Sequence, residues 1–268
     1  MSVQSIAVSP SLALVLNSAG EKNGVDFDYL LQTAMRESSL NPEARAQTSS
    51  AVGLFQFLEG TWLEVMKAEG PRLGYSNYAN AIKETAGGGY SVADPKLRAE
   101  ILELRKDPQI AADMAAAFTR RNGDYLSQKF GRMPSAGELY IAHFLGANGA
   151  ERMFEAGLEN PDQIAANLFP RQADANHAIF YSNGEPRTIR QVYRALVSKH
   201  EVASKGVEFS AQQLANNSEA PVRVTPVDQL DISFKSLFSS EANPTTQSPI
   251  SGTNAKQGGA FFVQLYNK

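Results

Sequence analysis

The longest helical pattern in the chain runs between Asp107-Pro108 and Gly131, and it does most to fix the fold class. Apolar side chains fall at Ile110, Ala111, Met114, Ala117, Phe118, Tyr125 and Phe130, a spacing of three and four that gathers them on one helix face. Asp107 suits the N-cap, Pro108 the first helical position and Gly131 the C-terminal stop. Similar punctuation recurs along the chain. Asp26 precedes the stripe Phe27, Leu30, Leu31, Ala34 and Met35, and Asp94-Pro95 opens another helix. Ser135 with Glu138 three residues later is a capping box for a helix over Leu139–Leu145. Leu12, Val15 and Leu16 predict a first helix over residues 10–20 with Gly20 as its stop. Thr61 is placed to cap a helix carrying Trp62, Leu63, Val65 and Met66, ended by Gly70-Pro71. Gly149 reads as restarting a short helix and Asn160-Pro161 as opening another. Thr188 begins an amphipathic helix of Val192, Tyr193, Leu196 and Val197. The ordered part is therefore expected to be all-α.

Two stretches fall outside this pattern. Residues 71–93 are rich in Gly, Asn and Tyr around Gly87-Gly88-Gly89, too long for a structureless connector and read as a functional loop or insertion. From about Ala203 the composition turns to Ser, Asn, Gln, Thr, Glu and Pro with isolated apolar residues. Residues 203–268 are expected to be a largely disordered polar tail or tether. Asp231–Phe238 and Gly259–Tyr266 are its apolar islands, suited to docking on a partner. The domain is thus placed at 1–202, with its core over 25–200.

Composition removes several function classes. A net charge of -3 leaves no basic stripe for nucleic acid. Zero cysteines exclude disulfides, thiolate-ligated metals and a thiol nucleophile. His143, His177 and His200 lack metal-ligand spacing, and the glycine triplet lacks the lysine and strand–helix setting of a phosphate loop. No metal or cofactor is expected. The apolar run Leu12–Leu16 is too short to span a membrane, and the first basic residue is Lys22, so no Sec-type signal peptide is evident.

The chemistry candidate is Glu37, at the end of the apolar stripe that starts at Phe27. Its side chain starts near the core, where burial disfavours the charged form of a carboxyl and leaves it able to donate a proton near neutral pH. The last turn of a helix pushes the same way. Ser38 follows, placed either to hold a carboxyl oxygen or a substrate amide, or to cap the helix. Residues 43–57 mix small and amide residues and are read as a loop with at most a short strand. Glu43 and Glu59 are the nearest other acids in sequence and both read as exposed. Glu138 is better explained by its capping box, with a position in the substrate groove as the alternative. The site is expected to work with one carboxylate.

Glu37-Ser38, Ala46, Ser49, Gly53-Leu54-Phe55-Gln56-Phe57 and Thr61 together resemble the soluble lytic transglycosylase (SLT) domain, a lysozyme-like family of glycoside hydrolase family 23 type. The family carries Glu-Ser, then Ala-x-Ser, then Gly-Leu-Met-Gln. Asp107-Pro108 and Glu138–Gly146 are similar to its Asp-Pro helix and Ala-Tyr-Asn-Ala-Gly segment, and Thr188–Tyr193 to its closing Glu-Thr-Arg-x-Tyr-Val element. His143 and Phe144 stand where the family has Tyr and Asn, the Tyr positioning the catalytic carboxyl and the Asn lying against substrate.

The resemblance implies a lysozyme-like fold and cleavage of the β-1,4 bond between N-acetylmuramic acid and N-acetylglucosamine in peptidoglycan. The product would carry 1,6-anhydro-muramic ends, with Glu37 as acid and then base. Ser38, Ser49, Gly53, Gln56, Phe57, Tyr140, His143 and Tyr193 are the expected substrate-binding residues. Alternatives are a hydrolytic muramidase or chitinase-like enzyme and a catalytically weak glycan-binding scaffold. The expected location is the periplasm or cell envelope, reached by a flagellar or secretion apparatus or within a phage particle. The tail would then dock on a structural protein of that apparatus.

Overall fold

The computed structural model describes residues 8–47 and 49–198. The tail over 203–268, its two apolar islands, His200 and the domain boundary at 202 lie outside the described residues. Helices dominate, as the capping signals require. They are α1 (Pro10–Asn23), α2 (Phe27–Ser38), α3 (Glu59–Glu69), α4 (Ser76–Ala81), α5 (Pro95–Glu103), α6 (Pro108–Phe130), α7 (Ala136–Leu145) and α8 (Ala147–Glu159). Three short helices follow, α9 (Ala165–Leu168), α10 (Pro170–Ala175) and α11 (His177–Phe180). A last helix, α12, covers 189–198 within the described residues.

Most caps form where the sequence puts them. Asp26 accepts from the Asp28 and Tyr29 amides, Asp94 from Lys96 and Leu97, and Asp107 from Ile110. Gly131 closes α6 in the left-handed region at φ 69°. Thr188 accepts from the Gln191 amide while Gln191 Oε1 accepts from the Thr188 amide, a second reciprocal capping box.

Four local expectations need correcting. Gly20 lies inside α1, which ends at Gly24 in the left-handed region. A Cβ on Gly20 would overlap the Val25 carbonyl oxygen, so Gly20 serves close packing, not helix termination. Thr61 sits buried within the first turn of α3, whose N-cap is Leu58. Gly149 lies in the first turn of the 13-residue α8, and the break from α7 is made by Gly146 at φ 76° and ψ 161°. Asn160-Pro161 forms a turn, with Asn160 Oδ1 accepting from the Asp162 amide, and the next helix begins at Ala165.

Residues 71–93 are built rather than bare loop. They hold α4 and an antiparallel hairpin, β1 (Ile82–Glu84) with β2 (Tyr90–Val92), in the register Ile82 to Val92. The paired Ile82 and Val92 are buried in the core, Tyr90 packs half-buried against it, and Lys83, Glu84 and Ser91 are exposed. A second two-residue ribbon, β3 (Tyr181–Ser182) with β4 (Glu185–Pro186), turns the chain before α12.

The buried side chains form two apolar clusters. The first gathers Leu30, Leu31, Leu54, Phe55, Phe57, Trp62, Met66, Ile82, Ile101 and Phe118, from α1 through the first half of α6. The second gathers Leu126, Tyr140, Ile141, Phe154, Phe169, Phe180, Val192 and Tyr193. Helix α6 runs through both. Its first half is rich in buried alanine (Ala111, Ala112, Ala115, Ala116, Ala117), and small contact residues allow α1 to lie close against it. Helix α2 belongs to the first cluster and α7 to the second, so their facing ends meet at a seam.

Glu138 anchors the second cluster. It is fully buried and accepts from Arg132 Nη1 and Nη2 at 2.9 and 2.7 Å, from the Ser135 amide at 2.7 Å and from the Tyr193 hydroxyl at 3.3 Å. Glu138→Ala should therefore destabilise the domain by about 3 kcal/mol, because buried donors lose their acceptor. Urea unfolding measures this, and an unshifted midpoint would deny Glu138 that role.

Candidate active site

Glu37 reaches the seam because α2 keeps its register to the last turn. Leu30, Leu31 and Ala34 are fully buried, and Glu37 follows Ala34 by three residues on the same face. The residue is only 8% exposed. Immediately afterwards the chain turns away. Ser39 and Leu40 both take left-handed backbone angles, φ 53° and 65°. The Ser39 amide donates to Met35 O at 2.9 Å and the Leu40 amide to Ala34 O at 3.3 Å. Left-handed geometry costs a non-glycine residue about 1 kcal/mol. Two in succession make Glu37 the last inward-facing side chain of the helix before that turn.

The Ser38 hydroxyl lies against the carbonyls of Ala34 at 3.1 Å and Leu54 at 2.9 Å. It fastens the end of α2 to the loop that follows. That loop is closed by its own backbone, with the Gly53 amide donating to Ala44 O, Ala46 to Ala51 O and Val52 to Phe57 O. Gln56 sits at φ 47°, nearly buried, and its Nε2 donates to Ala44 O at 3.1 Å and Gly53 O at 2.9 Å. Arg105 clamps the loop from the α5–α6 junction, donating to Ser50 O at 2.6 Å and Phe57 O at 3.1 Å. Burial pulls the Arg105 guanidinium below its ordinary value, with the neighbouring Glu59 and Glu103 opposing. Gly53 needs its lack of a side chain twice over. Its φ is 88°, and a Cβ would overlap the Arg105 carbonyl oxygen.

Across the seam, α7 presents His143. Its Nε2 lies 3.6 Å from Glu37 Oε1, within ion-pairing reach and slightly long for a hydrogen bond. Such contacts often tighten when substrate binds. Glu37 Oε2 is buried and has no hydrogen-bond partner among the described residues. The other buried carboxylates differ. Among the described residues these are Glu69, Asp113 and Glu138. Glu69 pairs with Arg72 and Arg120, Asp113 with Lys22, and Glu138 with Arg132. Glu37 faces an imidazole, which carries charge only when protonated. Glu43 and Glu59 are taken up elsewhere, by Lys106 and Arg98.

The seam also holds Tyr29 and Arg36 from α2. Burial pushes the Tyr29 hydroxyl up to about 12, with the Arg36 guanidinium opposing that shift and the Thr119 and Thr33 hydroxyls beside it. The Arg36 guanidinium lies over the Tyr140 ring, 3.9 Å from its centroid.

The structure brings Glu37, Ser38, His143 and Tyr140 together and ties Gly53 and Gln56 to them through Ser38 and Leu54. Ser49 Oγ accepts from the Ala51 amide at 3.3 Å within the same loop. Phe57 is buried in the first cluster, edge-on to Trp62 and Phe118. Tyr193 is buried in the second, on Glu138. Sequence reasoning missed Arg36, Arg105 and Tyr29. Only Arg36 carried a local signal, as a cation beside the acid in the last turn of a helix.

Residues 15–93 match the family model of the transglycosylase SLT domain. That segment is similar to the SLT domain. It spans Glu37, the 44–57 loop, α4 and the β1–β2 hairpin, and it ends before α6 and α7. The match supports, in general terms, a function of lytic-transglycosylase type.

Two outcomes follow from this geometry. Gly53→Ala must rebuild the SLT loop or displace Arg105. It should cost about 2 kcal/mol or more in stability and lower turnover of cell-wall material, measured together by unfolding and turbidity loss of sacculi. The second concerns alkaline pH. Above the ordinary tyrosine value of 10.0 and up to about 12, the unfolded chain ionises Tyr29 while the folded chain keeps its proton. Stability that is complete below pH 10 is therefore lost as pH rises through that window. Tyr75, Tyr90 and Tyr125 are raised as well and add to the slope. Tyr29→Phe should flatten the fall, seen in urea titrations from about pH 8 to about pH 11. An unchanged slope would place Tyr29 ionisation outside the unfolding reaction.

Proposed function

We propose that the protein is a peptidoglycan lytic transglycosylase in which Glu37 is the single acid and base. The observation that carries this reading is the half-satisfied carboxyl. One oxygen faces His143, and the other is buried without a hydrogen-bond partner among the described residues. A buried polar atom left unpaired costs free energy, and a substrate oxygen arriving there would supply the missing hydrogen bond. Each of the other buried carboxylates among the described residues already pairs with lysine or arginine. A conventional retaining glycosidase would need a second reactive carboxyl roughly 5 Å from the first.

The reaction balances with one carboxyl. Glu37 gives its proton to the glycosidic oxygen, the bond from that oxygen to the muramic anomeric carbon breaks, and N-acetylglucosamine leaves with a hydroxyl. The muramic N-acetyl oxygen covers the cationic carbon, the substrate-assisted route. The Glu37 carboxylate then takes the proton of the muramic 6-hydroxyl, whose oxygen bonds to the anomeric carbon and closes the anhydro ring. Attack from within the same sugar needs no ordered water and gains from proximity. His143 faces the carboxylate as it forms, and a charge-assisted contact is strongest at that moment. This substrate places the site of action outside the cytoplasmic membrane. Among the described residues no helix is long and apolar enough to cross a membrane.

The deciding experiment is mass spectrometry of muropeptides released from purified sacculi by wild type and Glu37→Gln. Wild type should yield 1,6-anhydro ends, and Glu37→Gln should lose about a thousandfold or more in rate, as expected on removing the sole proton-transfer group. Reducing ends in place of anhydro ends would make the protein a hydrolase, and an active Glu37→Gln would remove the acid assignment.

A further inference from the structure

Two contacts cross the seam from the end of α2 to α7, and they involve adjacent residues. Glu37 meets His143, and Arg36 lies over Tyr140. On α7 the two receiving side chains are one turn apart, which puts them on the same face of the helix. Their rings stack at 6.1 Å between centroids with planes 18° apart, and Phe118 of α6 stands edge-on to His143 at 6.3 Å. The imidazole is thus held by aromatic neighbours from two helices, and one of those neighbours is covered by the guanidinium next to the acid.

Tyr140 is poorly placed to be a sugar platform. It is 1% exposed, and the guanidinium lies over its ring. A partly desolvated guanidinium on an aromatic face is among the stronger cation–π arrangements, and its planar group fixes orientation as well as distance. Arg36 is also a cation in the last turn of α2, where the helix dipole favours it.

We propose that Arg36 and Tyr140 form a brace across the seam that sets the separation of Glu37 and His143. Both are then positioning residues for the acid and not glycan ligands. The inference rests on Glu37 being that acid. Helices α2 and α7 belong to different apolar clusters, and side-chain contact at their ends gives direct control over how the two groups meet. A displacement of about 1 Å in a reacting group can cost on the order of a hundredfold in rate, so a brace of this kind would be read in kcat.

The test is the kinetics of Tyr140→Phe, Tyr140→Leu, Arg36→Lys, Arg36→Met and the Arg36→Met/Tyr140→Leu pair on sacculi, beside Glu37→Gln, with unfolding curves for each. Tyr140→Phe keeps the aromatic face and should lose far less kcat than Tyr140→Leu, with KM unchanged. Tyr140→Leu and Arg36→Met should each lower kcat by about tenfold or more with KM unchanged. Arg36→Lys should fall between wild type and Arg36→Met. The pair should fall no further than the worse single variant, because both remove one contact. Should Tyr140→Leu fail to fold, the conservative Arg36→Lys beside Arg36→Met carries the same comparison. A raised KM in Tyr140→Phe would make the hydroxyl a glycan ligand and overturn the proposal, as would wild-type kcat in Arg36→Met. If Glu37→Gln remains active, the acid assignment itself fails. An inactive Glu37→Gln beside an unimpaired Arg36→Met overturns the brace alone.

Discussion

The burial of Glu37 with no lysine or arginine ion pair among the described residues is the constraint around which the seam is organised. A carboxylate taken out of water needs a compensating charge or hydrogen bonds. Glu69, Asp113 and Glu138 obtain theirs from arginine or lysine. Glu37 has an imidazole at 3.6 Å and one oxygen without a hydrogen-bond partner among the described residues. The stability it forgoes has to come from the packing on either side, and two separate apolar clusters sharing α6 supply that packing.

The loop beside the acid is stiff for a different reason. Its side chains bond mostly to backbone. Ser38, Gln56 and Arg105 together reach the carbonyls of Ala34, Leu54, Ala44, Gly53, Ser50 and Phe57. Satisfying carbonyls with side-chain donors is how a segment without regular secondary structure can sit against a core. It also explains why the pattern Gly-Leu-Phe-Gln is legible as a motif. Gly53 and Gln56 answer to backbone geometry, the first by fitting beneath Arg105 and the second by bridging the turn from a left-handed conformation.

The fold class was open to sequence reasoning because capping is local. An aspartate before a proline, or a serine three residues before a glutamate, needs no distant partner to act. Where glycine was read by the same local logic the result was mixed. Gly131 does end α6, whereas Gly20 and Gly149 lie inside helices. The role of Gly20 is set by the Val25 carbonyl packed against it, a tertiary fact that no window of sequence contains. The hairpin within 71–93 was hidden for a similar reason, since three-residue strands are too short for alternation to show. Glu37 was legible from the face it occupies on α2. Arg105 was not, because its partners are carbonyls some fifty residues away in sequence, and a carbonyl has no sequence signature.

Glu138 and Glu37 show how the two kinds of buried carboxylate can be told apart. Both lie at helix ends and both are buried. Glu138, in the first turn of α7, accepts from a bidentate arginine, a backbone amide and a phenol, and its charge is favoured there by the helix dipole. Every lone pair it offers is directed into scaffold, so it has little capacity left for a substrate. Glu37, in the last turn of α2, sits where the dipole opposes its charge, and one of its oxygens has no hydrogen-bond partner among the described residues. Position on the helix and degree of satisfaction point the same way in each case. The capping box that marks Glu138 in the sequence is therefore evidence about chemistry as well as about structure. It identifies a carboxylate already committed to the scaffold, whereas Glu37 keeps one oxygen without a hydrogen-bond partner among the described residues.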